Sequence, residues 1–206
     1  MAVSSGLQMG TARRFPSHSA AVLVLAGLGA AWAWAGSAPL FGVVDLSGRA
    51  RDPLPAGKAG PTVLVFTRTD CPISNRYAPE LRRLRERFAR RGAAFWLVYP
   101  DGSEAADAVR RHQREFGYGF PALRDPEHAL VALTGATVTP EVAVFVAGDG
   151  GPRMVYRGRI DDRAVDFGRT RSAPTSRDLE QVLDTLASGA TVQPRTTPAV
   201  GCFISR

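Results

Sequence analysis

Thr62-Val63-Leu64-Val65-Phe66 runs into Thr67-Arg68-Thr69-Asp70 and then Cys71-Pro72-Ile73-Ser74-Asn75-Arg76-Tyr77-Ala78-Pro79-Glu80-Leu81. The first five residues are apolar and rich in β-branched types, which predicts a buried strand over residues 62–68. Beyond Cys71, the residues Tyr77, Leu81, Leu84 and Phe88 recur at i, i+4, i+7 and i+11, the apolar stripe of a helix. Arg82, Arg83, Arg85 and Arg87 take its other face, and Gly92 follows Arg90 and Arg91 as a stop signal. A strand therefore delivers a cysteine to a helix start. Unpaired backbone N–H groups and the helix dipole favour negative charge there. Such a thiol can fall from a pKa of about 8.5 into the range of roughly 3.5–7.5, which makes it a better nucleophile at neutral pH. Asp70 opposes ionisation of Cys71, while Arg68 or Arg76 would support it.

Working outward, Ala94-Phe95-Trp96-Leu97-Val98-Tyr99 predicts a second strand. Asp101 and Glu104 stand in near capping-box spacing ahead of a helix that carries Ala105, Val109, Gln113 and Phe116. Phe120-Pro121-Ala122-Leu123 reads as a short extended piece, residues 128–133 as a short helix, and Glu141-Val142-Ala143-Val144-Phe145-Val146 as a third long strand. The turn Gly148-Asp149-Gly150-Gly151-Pro152 leads to a fourth at Met154-Val155-Tyr156-Arg157. Leu179, Val182, Leu183 and Leu186 mark a last helix, opened by Thr175 or Ser176 and stopped at Gly189. Alternating strands and helices followed by a hairpin predict an α/β fold, with a parallel core and an antiparallel edge.

Upstream, Arg13 and Arg14 precede the apolar run from Ala20 to Ala31, and Ala33-Trp34-Ala35 offers an A-x-A cleavage pattern. Residues 1–35 are expected to be a signal peptide, and the protein to be exported to a periplasmic or other extracytoplasmic space. If the leader is not cleaved, residues 19–35 would anchor it to a membrane. Residues 36–60 read as a linker with a short leading strand near Val43 and Val44, residues 61–189 as the folded domain, and residues 190–206 as an aperiodic tail. The net charge is +7. Subtracting Arg13 and Arg14, the only charges in the leader, leaves +5 for the remainder. Arginines interleaved with acids, and without stacking aromatics, argue against a nucleic-acid partner. The few histidines, with His112 and His128 expected at the surface, argue against a metal site. Asp161-Asp162 reads as a turn. No cofactor is indicated.

This order of elements, with a helix-start cysteine, resembles the thioredoxin fold: a three-layer α/β arrangement with a central mixed sheet flanked by helices. Ala78-Pro79 stands where that family carries an Ala-Pro pair, and Thr139-Pro140-Glu141 where it places a cis-proline against the active-site cysteine. The segments from Leu133 to Val142 and from Tyr156 to Asp162 resemble the peroxiredoxin-like subgroup, the redoxin or AhpC/TSA type. Three departures stand out. Ser74 replaces the second cysteine of the Cys-x-x-Cys motif. Arg68 stands where peroxiredoxins carry a threonine three residues before the cysteine. Asn75 leaves the Cys-x-x-x-Cys site of copper chaperones of the SCO type incomplete.

The resemblance implies an antioxidant or thiol–disulfide oxidoreductase with Cys71 as nucleophile toward protein disulfides or a peroxide, served by an external thiol reductant. Thr139, Pro140, Pro72 and Ser74 would line its substrate groove. Cys202, in the tail, is a candidate resolving cysteine; a static disulfide or a free thiol are its other readings, and the proline-containing tail favours movement. A one-cysteine thiol peroxidase and a non-catalytic binding module using the Pro140 groove remain the rival functions, with a SCO-like metal carrier third. The loop Tyr99-Pro100-Asp101-Gly102 is expected on the same edge of the fold as Cys71.

Overall fold

The computed structural model describes residues 42–54 and 60–205; the leader and part of the linker lie outside them. The strands are β1 (Val44–Asp45), β2 (Thr62–Phe66), β3 (Ala94–Tyr99), β4 (Ala122–Arg124), β5 (Val138–Thr139), β6 (Glu141–Val146), β7 (Arg153–Gly158), β8 (Ala164–Asp166), β9 (Arg169–Thr170), β10 (Arg195–Thr196) and β11 (Cys202–Phe203). The helices are α1 (Pro72–Arg76), α2 (Ala78–Ala89), α3 (Ala106–Glu115), α4 (Ala129–Thr134) and α5 (Asp178–Ala187).

Seven strands form the central sheet in the order β1-β4-β3-β2-β6-β7-β10. β2, β3 and β4 run parallel, whereas β6 is antiparallel to both β2 and β7, so the sheet is mixed. Every residue of β2 is buried. Its alternation divides the core. Val63 and Val65 face a layer with Leu81, Leu84 and Phe88 of α2 and Leu179 and Leu183 of α5. Leu64 and Phe66 face the other side, with Leu130 of α4. Helices thus cover both faces, giving the three layers of the thioredoxin fold.

Three differences from the sequence reading have physical causes. First, the long helix after Cys71 is broken at Tyr77. Pro79 lacks the N–H that would bond the Asn75 carbonyl four residues earlier, so the ladder restarts with α2. Second, α5 starts at Asp178 rather than at Thr175 or Ser176. Their backbone N–H groups, with the Thr175 hydroxyl, are taken by the Asp162 carboxylate. Asp161 and Asp162 are therefore buried anchors, more than a surface turn. Third, the tail is ordered onto the fold. β10 runs parallel to β7 and becomes the sheet edge, and β11 pairs antiparallel with β5. The arginine face of α2 also has partners: Arg83 and Arg87 meet Glu180 of α5, and Arg83 also bonds Glu80.

Candidate functional site

Cys71 is the N-cap of α1, in extended conformation, and is fully buried. Its backbone carbonyl accepts the first helical bond, from Asn75 N–H at 3.0 Å. Its Sγ accepts from the Ser74 N–H at 3.5 Å and donates to the Thr139 carbonyl at 3.1 Å. Thr139 stands at the end of β5, and the Thr139–Pro140 peptide is cis. The loop before it is held by Glu141, whose buried carboxylate accepts from Thr137 N–H at 2.8 Å.

Opposite Thr139 in the β5–β11 pairing stands Cys202. Cys202 packs against the core cluster that contains Cys71, the two thiols perturb each other's ionisation, and both cysteines are free. Cys202 is half-buried, Cys71 fully so. Gly201 permits this approach: a Cβ there would overlap the Thr139 carbonyl. The structure therefore brings together Cys71, Ser74, Thr139, Pro140 and Cys202. Pro72 occupies the first position of α1, where its missing N–H costs nothing, and is exposed beside the buried sulfur.

The two thiols are electrostatically unlike. Burial pushes the Cys71 pKa up, but its interactions with Cys202, Ser74 and Thr139 outweigh it, so the net shift is downward. The Ser74 hydroxyl is buried and has no hydrogen-bond partner, so the Ser74 bond to the sulfur in this structure is the one from its N–H. Cys202 moves the opposite way, to about 12, through burial, then its donation to Cys71 and repulsion from the Cys71 thiolate. The flanking charges expected to tune Cys71 are engaged elsewhere. Arg68 pairs with Asp70 at 3.1 Å and Asp101 at 3.2 Å, and Arg76 reaches toward Thr170. Hydrogen bonding, more than the dipole of a five-residue helix, accounts for the lowered pKa.

A second group of residues, missed in the sequence reading, braces the loop that leads to Cys71. Glu104 accepts from the Thr69 N–H at 2.7 Å instead of capping α3, whose N-cap is Ala105. Burial raises the Glu104 pKa, partly offset by its bonds from Thr69. Asn75 Nδ2 donates to the Thr69 carbonyl at 3.2 Å, which leaves its Oδ1 to accept from His112 Nε2 at 2.7 Å. His112 Nδ1 then accepts from the Tyr99 hydroxyl at 2.8 Å. His112 is 4% exposed, not a surface residue. Its spacing from Val109 and Phe116, three and four residues, places it on the apolar stripe, the signal that could have found it. His128 is half-buried and bonds the Pro100 carbonyl at 2.9 Å. The loop at Pro100 to Gly102 borders a cavity of about 240 Å³ shared with Arg68 and with Ile204 of the tail, on the edge expected for it.

Residues 37–152 match the model of the AhpC/TSA family. That span includes Cys71, Ser74, Thr139 and Pro140 and stops short of Cys202. No curated protein matches the chain. Among solved structures, an uncharacterized conserved protein from Geobacillus kaustophilus superposes with a TM-score of 0.66 at 24% identity, covering 81% of this chain and 88% of its own. A hypothetical protein from Sinorhizobium meliloti gives 0.59 at 25% identity over 71% of this chain and 80% of its own. An uncharacterized thioredoxin-like protein from Porphyromonas gingivalis gives 0.52 at 16% identity over 72% and 90%. The family match over more than half of the sequence, on a thioredoxin fold, makes this chain a member of the AhpC/TSA family.

Proposed function

We propose that this protein is an exported thiol-dependent oxidoreductase in which Cys71 attacks and Cys202 resolves. The observation that carries the reading is the pair itself: a buried helix-cap thiol bonded to the Thr139 carbonyl, and a second free cysteine set opposite Thr139 by a distant strand. Ser74 denies Cys71 a partner within its own helix, and the tail supplies one.

In the peroxide case, the Cys71 thiolate takes the terminal oxygen of a hydroperoxide. The O–O bond breaks, the alkoxide leaves and is protonated to the alcohol, and Cys71 becomes a sulfenic acid. Cys202 then attacks that sulfur, water leaves, and a Cys71–Cys202 disulfide forms. In the disulfide case, Cys71 attacks one sulfur of the substrate and releases the other as a thiolate. Cys202 resolves the mixed disulfide in the same way. An external dithiol returns both cysteines to thiols.

The pKa pattern suits this order of events. Two of the causes that hold Cys202 near 12 are its bond to Cys71 and the Cys71 charge. Both disappear when Cys71 is oxidised, so Cys202 ionises more readily at the step that needs its thiolate. Export rests on the leader pattern at residues 1–35, and an oxidising compartment suits disulfide chemistry. Intact mass of the protein from its native host tests this part: loss of residues 1–35 is expected, and a membrane-bound form starting at Met1 would mean anchoring. For the chemistry, turnover of peroxide with a dithiol donor should fall to background in Cys71→Ser. A Cys71→Ser variant with full turnover would refute the nucleophile assignment.

A further inference from the structure

The tail does more than carry a cysteine, because of where its backbone binds. Cys202 and Phe203 pair with Thr139 and Val138, and the Ile204 N–H donates to the Thr137 carbonyl at 3.0 Å. β5 is the strand whose last carbonyl touches the Cys71 sulfur. Any extended chain paired to β5 in this register therefore presents the residue opposite Thr139 to Cys71. Addition of an extended segment to an open strand edge is a general way to bind polypeptide. Here the protein's own tail already fills that edge.

The tail is fixed on one side of this clip. Thr197 N–H donates to the Arg157 carbonyl at 3.0 Å, and the Thr197 hydroxyl meets the Tyr156 hydroxyl at 2.6 Å. Gly158 makes room for Thr197, since a Cβ there would overlap its backbone. From Pro198 onward, Gly201 gives the same room against Thr139, and Phe203 is 72% exposed. A firmly docked segment thus ends at Thr197, and a short clip of two paired residues follows.

We propose that residues 199–204 are a specificity gate that occupies the strand edge an extended polypeptide disulfide would need. The inference rests on Cys71 as the nucleophile proposed above. Cys71 is fully buried with the clip docked, so either substrate needs the sulfur uncovered; a hydroperoxide needs room for one oxygen, whereas a polypeptide disulfide needs the whole filled edge. Opening about residues 197–198 empties it. The polypeptide then pairs with β5, the Cys71 thiolate attacks its disulfide, a Cys71 mixed disulfide forms, and the second substrate sulfur leaves as a thiolate.

The test uses full-length protein in a Cys202→Ser background, so that only Cys71 reacts, with and without Gly201→Val. The probes are hydrogen peroxide and a linear peptide disulfide. Displacing the clip should raise the Cys71 rate toward the peptide disulfide by about tenfold or more, the factor by which an open population of about 10% holds a reaction back. The rate with peroxide, corrected for the Cys71 thiolate fraction measured by alkylation in each variant, should change by far less. Equal peptide rates in the two variants, with peroxide still consumed, would overturn the gate alone. No reaction of Cys71 with either probe in either variant would instead sink the nucleophile assignment, and the gate with it. A measurement on the unmodified chain guards against a misfolded variant. Amide exchange at Ile204 should be much faster than at Thr197 and in β6. Protection at Ile204 equal to that of β6 would mean the clip opens only with global unfolding, and would overturn the proposal.

Discussion

At the scale of single residues, the question is what stabilises a thiolate in a buried place. Burial alone would protonate Cys71. The counterweight is its interaction with neighbouring groups: Cys202 first, then Ser74, whose N–H bonds the sulfur at 3.5 Å, then Thr139. Loss of a donor should raise the Cys71 pKa. The alkylation rate of Cys71 follows its thiolate fraction, so it should fall as pH drops through a value below that of an ordinary thiol. In Cys202→Ala and Ser74→Ala that fall should move to higher pH, more in the first. An unshifted profile in both variants would mean that other groups hold the charge. The placement of Cys71 at a helix start was legible in the sequence, because a strand followed by Cys-Pro is a local pattern. The donor set was only half legible. Ser74 is one helical turn away and was assigned to the groove, whereas the partnership of Cys202 depends on a strand pairing that no local pattern encodes.

At the scale of elements, the loop from β2 to α1 is braced by buried polar groups. Glu104, Asn75 and His112 hold Thr69 from two sides, and Tyr99 completes the chain of bonds. Removing a member leaves the next one buried without a partner, at a cost of about 1–3 kcal/mol. His112→Ala is expected to lose that much stability in denaturant unfolding and to slow the reaction of Cys71. The pH dependence has a definite sign. Burial lowers the His112 pKa below its ordinary 6.5, so the unfolded chain takes up a proton in a range where the folded one does not. Stability from this group is complete above about 6.5 and is lost as pH falls toward the folded value. Glu104, with its raised pKa, acts in the opposite direction as the solution is acidified. The comparison of wild type with His112→Gln isolates the histidine contribution: the variant should lose less stability between neutral and mildly acidic pH. Equal slopes would remove His112 from the account. The long elements were readable from the sequence, with β3 and β6 falling on the expected residues. The capping reading of Asp101 and Glu104 failed because a tertiary partner, the Thr69 N–H, competes for the carboxylate.

At the scale of the whole molecule, the tail closes the structure on itself. It adds an edge strand to the sheet and then crosses to the Pro140 loop, with close backbone contacts at Gly158 and Gly201. Gly158 also has a φ of 144°, a conformation that side chains resist. Gly158→Ala should therefore cost about 1–3 kcal/mol and lower Tm; an unchanged Tm would show that the tail from Thr197 is not held against β7. The tail was unreadable in sequence because two-residue strands carry no period, and their partners lie far away in the chain. The central claim joins all three scales: Cys71 is oxidised first and Cys202 resolves it. It is tested most directly by treating the reduced full-length protein with one equivalent of hydrogen peroxide and mapping the products by peptide mass. The account predicts a Cys71–Cys202 disulfide within one chain, and a trappable Cys71 sulfenic acid when Cys202 is replaced by serine. Persistent Cys71 sulfenic acid beside a free Cys202 thiol in the wild type, or an unoxidised Cys71, would contradict it.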